Sequence, residues 1–263
     1  MSVGVFDSGL GGLSVLHEMR KRLPEEDFVY VADSGHVPYG DKAPEYINER
    51  SLRIGEFLVN RHDVKAIVIA CNTASATAIM PLRNRFPGVP VIGMEPAVKP
   101  AMAVTRTRRV GVLATVGTLK SARFAALLDR FADSVEVVMQ PAPGLVERVE
   151  RGDLTGTETR RLVESFVQPL RDRGVDVIVL GCTHYPFLRE AISEVAGEGV
   201  TLIDTGAAVA RQVERKLDEV NARSVGRPGT ELFFSSGDLG LGETALRKLW
   251  SPGARLAAFP GEK

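Results

Sequence analysis

The chain carries one motif twice. Val64-Lys-Ala-Ile-Val-Ile-Ala-Cys71-Asn-Thr73 is echoed by Val175-Asp-Val-Ile-Val-Leu-Gly-Cys182-Thr-His184. In each copy a β-branched apolar run, the mark of a strand buried on both faces, ends in a thiol followed by small hydroxyl or amide residues. A second echo at a similar offset joins Val3-Gly-Val-Phe-Asp7-Ser8 to Val110-Gly-Val-Leu-Ala114-Thr115. Two matches in the same order argue for an internal duplication of one α/β unit. Both thiols are then expected at strand C-terminal ends, the edge where open α/β sheets place their ligands.

Strand-like runs at about 2–6, 28–32, 65–70, 89–92, 109–113, 135–139, 176–181 and 200–203 alternate with helical patterns at about 11–22, 44–60, 74–85, 117–130, 155–172, 187–196 and 206–221. That alternation predicts an α/β fold built from βαβ units around mainly parallel sheets. Pro96 and Pro100 flank a segment that joins two halves, with a boundary near residue 95. The tail, an amphipathic helix from Ala207 to Val220 and a strand at Glu231 to Phe234, has no counterpart after the first copy. It is expected to pack back on the N-terminal half.

At 263 residues and 44% apolar content the chain can bury a proper core. Its 33 basic residues balance 33 acidic ones, so no net charge favours nucleic acid or an anionic membrane. The start lacks a basic stretch followed by an apolar one, and no run approaches about 18 apolar residues. A cytoplasmic protein with two free cysteines is expected.

Phe6-Asp7-Ser8-Gly9-Leu10-Gly11-Gly12-Leu13-Ser14 follows the first strand, and its glycines suit a carboxylate or phosphate site at a helix N-terminus. It is not a dinucleotide fingerprint, because Ser14 stands where the last glycine belongs. Asp33-Ser-Gly-His-Val-Pro38-Tyr39-Gly40 reaches the same sheet edge, Tyr39 offering a ring and a hydroxyl to a small polar ligand. Each cysteine opens a helix, which would lower its thiol pKa. Asn72, Thr73 and Thr183 supply hydrogen-bonding partners for a substrate. His184 could exchange a proton with Cys182, orient it, or cap the helix starting at Pro186.

Two cysteines and one histidine in no C-x-x-C spacing make a poor zinc site, and a disulfide is disfavoured because Cys71 and Cys182 belong to separate units that would face one another across a cleft a ligand should fill. Nucleophilic Cys-His catalysis uses one thiol and leaves its duplicate unexplained. Two opposed thiols have a use of their own. With a substrate α-carbon between them, one thiolate removes a proton from one face and the other thiol delivers one to the opposite face, inverting the configuration.

Phe6 to Ser14, Pro38-Tyr-Gly40, Ala70-Cys-Asn-Thr-Ala-Ser-Ala76 and Gly181-Cys-Thr-His-Tyr-Pro186, in this order, resemble the glutamate racemases of the aspartate/glutamate racemase superfamily over nearly the whole chain. The resemblance implies two pseudo-symmetric Rossmann-like or flavodoxin-like domains, residues 1–95 with 208–263 and residues 96–207, with the active site in the cleft between them. It implies a cofactor-free and metal-free isomerase supplying D-glutamate for peptidoglycan, in which Cys71 acts on the D-enantiomer and Cys182 on the L-enantiomer. Asp7 would support the first thiol and His184 the second. Ser8, Pro38, Tyr39, Gly40, Asn72, Thr73, Thr118, Thr183 and His184 would hold the amino acid, with Thr115 an alternative to Thr118. Glu150 fits the setting of an assisting glutamate better than Glu147, although Gln140-Pro-Ala-Pro-Gly144 departs from the usual wording upstream. A homodimer is expected; DNA gyrase binding is suggested by family resemblance only, and nothing in this neutral chain displays a surface for it. Competing readings are an aspartate or other amino-acid racemase of the same superfamily and a non-enzymatic nucleotide- or protein-binding α/β protein.

Overall fold

Val3–Asp7 (β1), Phe28–Ala32 (β2) and Ala66–Ile69 (β3) are buried at every position. Strands this apolar require helices on both faces of their sheet. A computed structural model, describing residues 1–131 and 134–261, supplies them in alternation. In chain order the elements are β1, α1 (Leu13–Arg22), β2, α2 (Pro44–His62), β3, α3 (Asn72–Arg85), β4 (Val91–Ile92), α4 (Val98–Val104), β5 (Arg109–Ala114), α5 (Val116–Lys120), α6 (Ala122–Asp129), β6 (Glu136–Pro141), α7 (Leu145–Glu150), α8 (Thr157–Asp172), β7 (Val177–Leu180), α9 (Arg189–Ala196), β8 (Thr201–Ile203), α10 (Gly206–Glu219), β9 (Glu231–Ser235), α11 (Leu239–Leu249) and β10 (Leu256–Ala258).

Every strand pairing is parallel. One sheet runs β10-β9-β2-β1-β3-β4 and the other β6-β5-β7-β8. The order β2-β1-β3-β4 repeats as β6-β5-β7-β8, so the two sequence echoes occupy matching places. β1 and β5 are central, and β3 and β7, which precede the cysteines, lie beside them. The tail does return to the first sheet, where β9 pairs with β2 from Phe28↔Glu231 to Ala32↔Ser235, and α10 packs on α1. A buried pair pins the connection: Lys65 Nζ lies 2.5 Å from Glu26 Oε2, and the Ser224 N–H donates to Glu26 Oε1 at 2.7 Å. One apolar core continues from Val3, Leu13 and Leu16 through Val209 and Val213 to Leu145, Val163 and Leu180, so the two sheets share their interior.

The pattern departs from the sequence expectation in a few places. The 117–130 helix is two, broken at Ser121, whose hydroxyl accepts from the Phe124 N–H at 3.1 Å and starts α6 afresh. The Pro96–Pro100 joint is partly helical, since Pro100 falls in the first turn of α4, where a missing N–H costs nothing. Short α7 and the glycine-containing α11 escape periodicity, and β10 is three residues long. The expected helix at 187–196 begins as a 3₁₀ turn, Tyr185–Leu188, before α9.

Asp176 fastens the joint between the halves to the start of β7. It is buried, and its carboxylate accepts from Thr105 Oγ1 at 2.5 Å, the Arg106 N–H at 2.6 Å, and the N–H and hydroxyl of Thr107 at 3.1 and 3.0 Å. Burial alone would raise its pKa; the bonds outweigh it and hold it at about 2. A depressed folded-state pKa gives stability that is present above the unfolded value of about 3.9 and is lost as pH falls through about 2. Asp176→Asn should therefore cost about 2 kcal/mol at pH 7, with wild type and variant converging by about pH 2 in urea melts. A constant gap across that range would show that the carboxylate's charge is not what holds the joint.

Candidate active site

The chain reverses sharply after β1 because two glycines leave room for side chains from the other half. A Cβ on Gly9 would stand 2.2 Å from Glu150 Oε1, and one on Gly11 would stand 2.2 Å from His184 Nδ1. Two of the loop's donors are also taken by the protein's own carboxylates: the Gly12 N–H donates to Asp7 Oδ2 at 2.7 Å and the Leu10 N–H to Glu150 Oε1 at 2.6 Å. Those two N–H groups are thus not open to an outside anion.

Asp7, fully buried at the end of β1, gathers the first thiol's surroundings. The Ser8 hydroxyl donates to Asp7 Oδ1 at 3.4 Å, and the Thr183 hydroxyl, from the second half, donates to Oδ2 at 3.3 Å. Cys71 caps α3, its sulfur accepting from the Ala74 N–H at 3.5 Å and lying 3.8 Å from Ser8 Oγ. The helix end does not lower this thiol. Burial, then the nearby Asp7 carboxylate, push it well above the ordinary cysteine value, and the Ala74 N–H offsets only part of that rise. Burial raises Asp7 as well, against the lowering influence of His184.

Cys182 follows β7 but does not open an α-helix, because Thr183 and His184 lead into the 3₁₀ turn. His184 stands at that turn's cap position without capping it through its side chain. Its Nδ1 lies 3.7 Å from the Cys182 sulfur and its Nε2 lies 2.7 Å from Glu150 Oε1. Burial would lower the imidazole pKa; the bonds to Cys182 and Glu150 reverse this and raise it well above the usual value. His184 therefore keeps a proton beside the sulfur. Of the two candidate glutamates Glu150 reaches His184, whereas Glu147 has its Oε2 buried without a hydrogen-bond partner among the described residues. The surroundings of the two thiols meet at Asp7, which accepts both the Ser8 hydroxyl beside the Cys71 sulfur and the Thr183 hydroxyl next along the chain from Cys182.

Thr73, Thr115 and Thr118 form a hydroxyl cluster, with Oγ1 separations of 3.0 Å (Thr73 to Thr115), 3.2 Å (Thr73 to Thr118) and 3.0 Å (Thr115 to Thr118). α5 presses against Gly40, where a Cβ would come within 2.7 Å of Thr115 Cβ. Asn72 is buried, with neither amide atom hydrogen-bonded among the described residues, so a polar ligand group there would satisfy it. Tyr39 is buried too, but its hydroxyl donates to Asp33 Oδ2 at 2.5 Å and is not free for a ligand as expected. Asp33 also takes Arg50 at 2.7 and 3.0 Å, which braces the half-buried Pro38 and the Tyr39-Gly40 turn from behind. Sequence reasoning missed Arg50, since nothing in helix periodicity marks one arginine as inward. It also missed Ser34, whose hydroxyl donates to Glu150 Oε2 at 3.1 Å. Among the described residues no three His, Cys, Asp or Glu side chains gather as a metal site.

Repeated parallel α/β units carry two buried thiols at equivalent strand ends, each beside a titratable partner of its own, an arrangement chemically capable of proton transfer. The chain belongs to the Asp/Glu/Hydantoin racemase family, whose profile matches residues 4–213. It is 58% identical over 235 residues to the glutamate racemase of Pseudomonas aeruginosa, covering 89% of this chain and 88% of that one. Its fold matches Escherichia coli glutamate racemase, solved with L-glutamate and the activator UDP-MurNAc-Ala, at TM-score 0.87 and 34% identity over 98% of this chain and 97% of that one. It also matches the Francisella tularensis glutamate racemase, solved with D-glutamate, at TM-score 0.83 and 28% identity over 98% and 97%.

Proposed function

We infer that this chain interconverts L- and D-glutamate by two-base proton transfer at the α-carbon, without a cofactor, and supplies the D-enantiomer for peptidoglycan. The observation that supports this reading is that the two thiols have different titratable neighbours, Asp7 near Cys71 and His184 with Glu150 at Cys182, while the Thr183 hydroxyl links the second set to Asp7. Starting from L-glutamate, the Cys182 thiolate takes the α-proton while Cys71, which burial keeps as a thiol, gives its own proton to the opposite face. In reverse Cys71 must first lose its proton. Asp7, whose raised pKa makes it a competent acceptor, takes it. Asn72 and the Thr73/Thr115/Thr118 cluster supply neutral donors for the substrate's carboxylates. The functional units are residues 1–95 with 208–263 and residues 96–207, paired in a cytoplasmic homodimer. A nucleotide-binding reading is disfavoured because the glycine loop's Leu10 and Gly12 N–H groups already hold Glu150 and Asp7.

Circular dichroism on each enantiomer, in deuterated water and after dialysis against a chelator, tests this. Both enantiomers should racemise, with solvent deuterium on the newly formed enantiomer and almost none in recovered starting material, since each thiol serves one face. Equal labelling of both enantiomers at early times would mean a single shared base, and strict dependence on pyridoxal phosphate or a metal would sink the cofactor-free reading.

A further inference from the structure

The structure places Glu150 beside His184, and the contacts that fix Glu150 itself come largely from elsewhere. Its carboxylate belongs to α7 in the second half, yet two of its three donors come from the first half. Oε1 accepts from the Leu10 N–H at 2.6 Å and meets His184 Nε2 at 2.7 Å, while Oε2 accepts only the Ser34 hydroxyl, at 3.1 Å, among the bonds the structure gives it. Among the described residues Ser34 is thus the one side chain that anchors Oε2, and with it the rotation of the carboxylate that presents Oε1 to His184. Without it Oε1 could turn away from His184, and the imidazole would lose the partner that aligns Nδ1 on the Cys182 sulfur, 3.7 Å away.

The turn that carries Ser34 is itself held by the tail that has no counterpart in the duplicated unit. The Ser236 N–H donates to the Ala32 carbonyl at 3.1 Å, and the Ser236 hydroxyl accepts from the Gly35 N–H at 3.0 Å. The fit leaves no slack, since a Cβ on Gly35 would stand 2.7 Å from the Ser236 carbonyl oxygen and one on Gly237 would stand 3.1 Å from Ser34 Cβ. On the other side the Asp33 N–H donates to the Asp7 carbonyl at 3.0 Å.

We propose that Ser34 is a positioning residue for the proton transfer at Cys182, acting through Glu150 and His184, and that the C-terminal segment 235–237 holds it in place. The chain of contacts runs Ser236, Gly35, Ser34, Glu150, His184, Cys182, and it crosses between the two halves at the Ser34–Glu150 bond. The proposal rests on the racemase reading, whose own test is the wild-type activity.

The experiment compares Ser34→Ala, Ser34→Thr, Glu150→Gln and the Ser34→Ala/Glu150→Gln pair by glutamate racemisation at saturating and limiting substrate. Ser34→Ala should lower kcat about tenfold or more, the scale of losing a hydrogen bond to a charged group, with KM within about twofold of wild type. Ser34→Thr, which keeps the hydroxyl, should recover most of the rate. In the Glu150→Gln background Ser34→Ala should cost less than about twofold, because the group it acts through has already been altered. Should Ser34→Ala fail to fold, Ser236→Ala, which loosens the same turn, should show a smaller loss confined to kcat. An unchanged kcat, a loss confined to KM, no rescue by threonine, or an equal loss in the Glu150→Gln background would each overturn the proposal. These results are distinct from a wild-type chain that does not racemise glutamate, which would overturn the function and with it this role for Ser34.

Discussion

Serine in place of Cys71 or of Cys182 is expected to lower kcat by about 10² to 10⁴-fold in both directions, the range that a positioned proton-transfer group supplies. The exchange removes one polarisable sulfur from each site and changes little else, since both side chains are buried among contacts that a hydroxyl can make. What changes is acidity. A serine hydroxyl beside Ser8 and Asp7, or beside His184, is far too weak an acid to exist as the anion near neutrality. The Cys71→Ser variant loses the acid for one direction and the base for the other, and Cys182→Ser loses the complementary pair, so neither direction survives in either protein. Substrate binding should persist within a few-fold by calorimetry, because Asn72 and the Thr73/Thr115/Thr118 cluster remain. Near-normal turnover by either folded variant, free of contaminating racemase, would remove that cysteine from the mechanism.

Much of this arrangement could be read in the residues because parallel strands buried on both faces carry a continuous apolar run, which survives in sequence without help from partners. Val64 to Cys71 and Val175 to Cys182 are such runs, and their repetition located both thiols at the ends of equivalent inner strands, one in each sheet. The sign of the Cys71 shift was not readable. A helix N-terminus acts as about half a charge, while full burial can move a pKa by several units, and burial is a property of the packed core that one strand does not disclose. The glycines at 9 and 11 misled for a related reason. A turn that needs glycine and a backbone that must admit Glu150 and His184 look alike in sequence, and only the contact from the other half separates them. Arg50 and Ser34 are the same kind of case, their partners lying 17 and 116 positions away along the chain.

Arg50→Met is expected to be the most damaging change outside the thiols. Arg50 and Asp33 are 7% and 0% exposed at their side chains and are joined by two hydrogen bonds, with the Tyr39 hydroxyl a further donor to Asp33. An ion pair this deep adds little over an apolar pair of the same shape, because both charges gave up their water. Removing one partner is different, since it leaves the other charge buried and poorly compensated, at a cost of about 3–5 kcal/mol. For a chain of this size that corresponds to a fall in Tm of roughly 10 °C. The loss should reach the site as well. Asp33 holds Tyr39, and Gly40 packs against Thr115, so the wall carrying the threonine hydroxyls loses its backing and KM should rise several-fold. Calorimetry on Arg50→Met, Asp33→Asn and the double variant separates the terms. The double variant should melt above Arg50→Met, because neutralising Asp33 removes the stranded charge. A single variant within about 2 °C of wild type would mean that Asp33 finds other compensation and that this pair is not what holds the Tyr39-Gly40 turn.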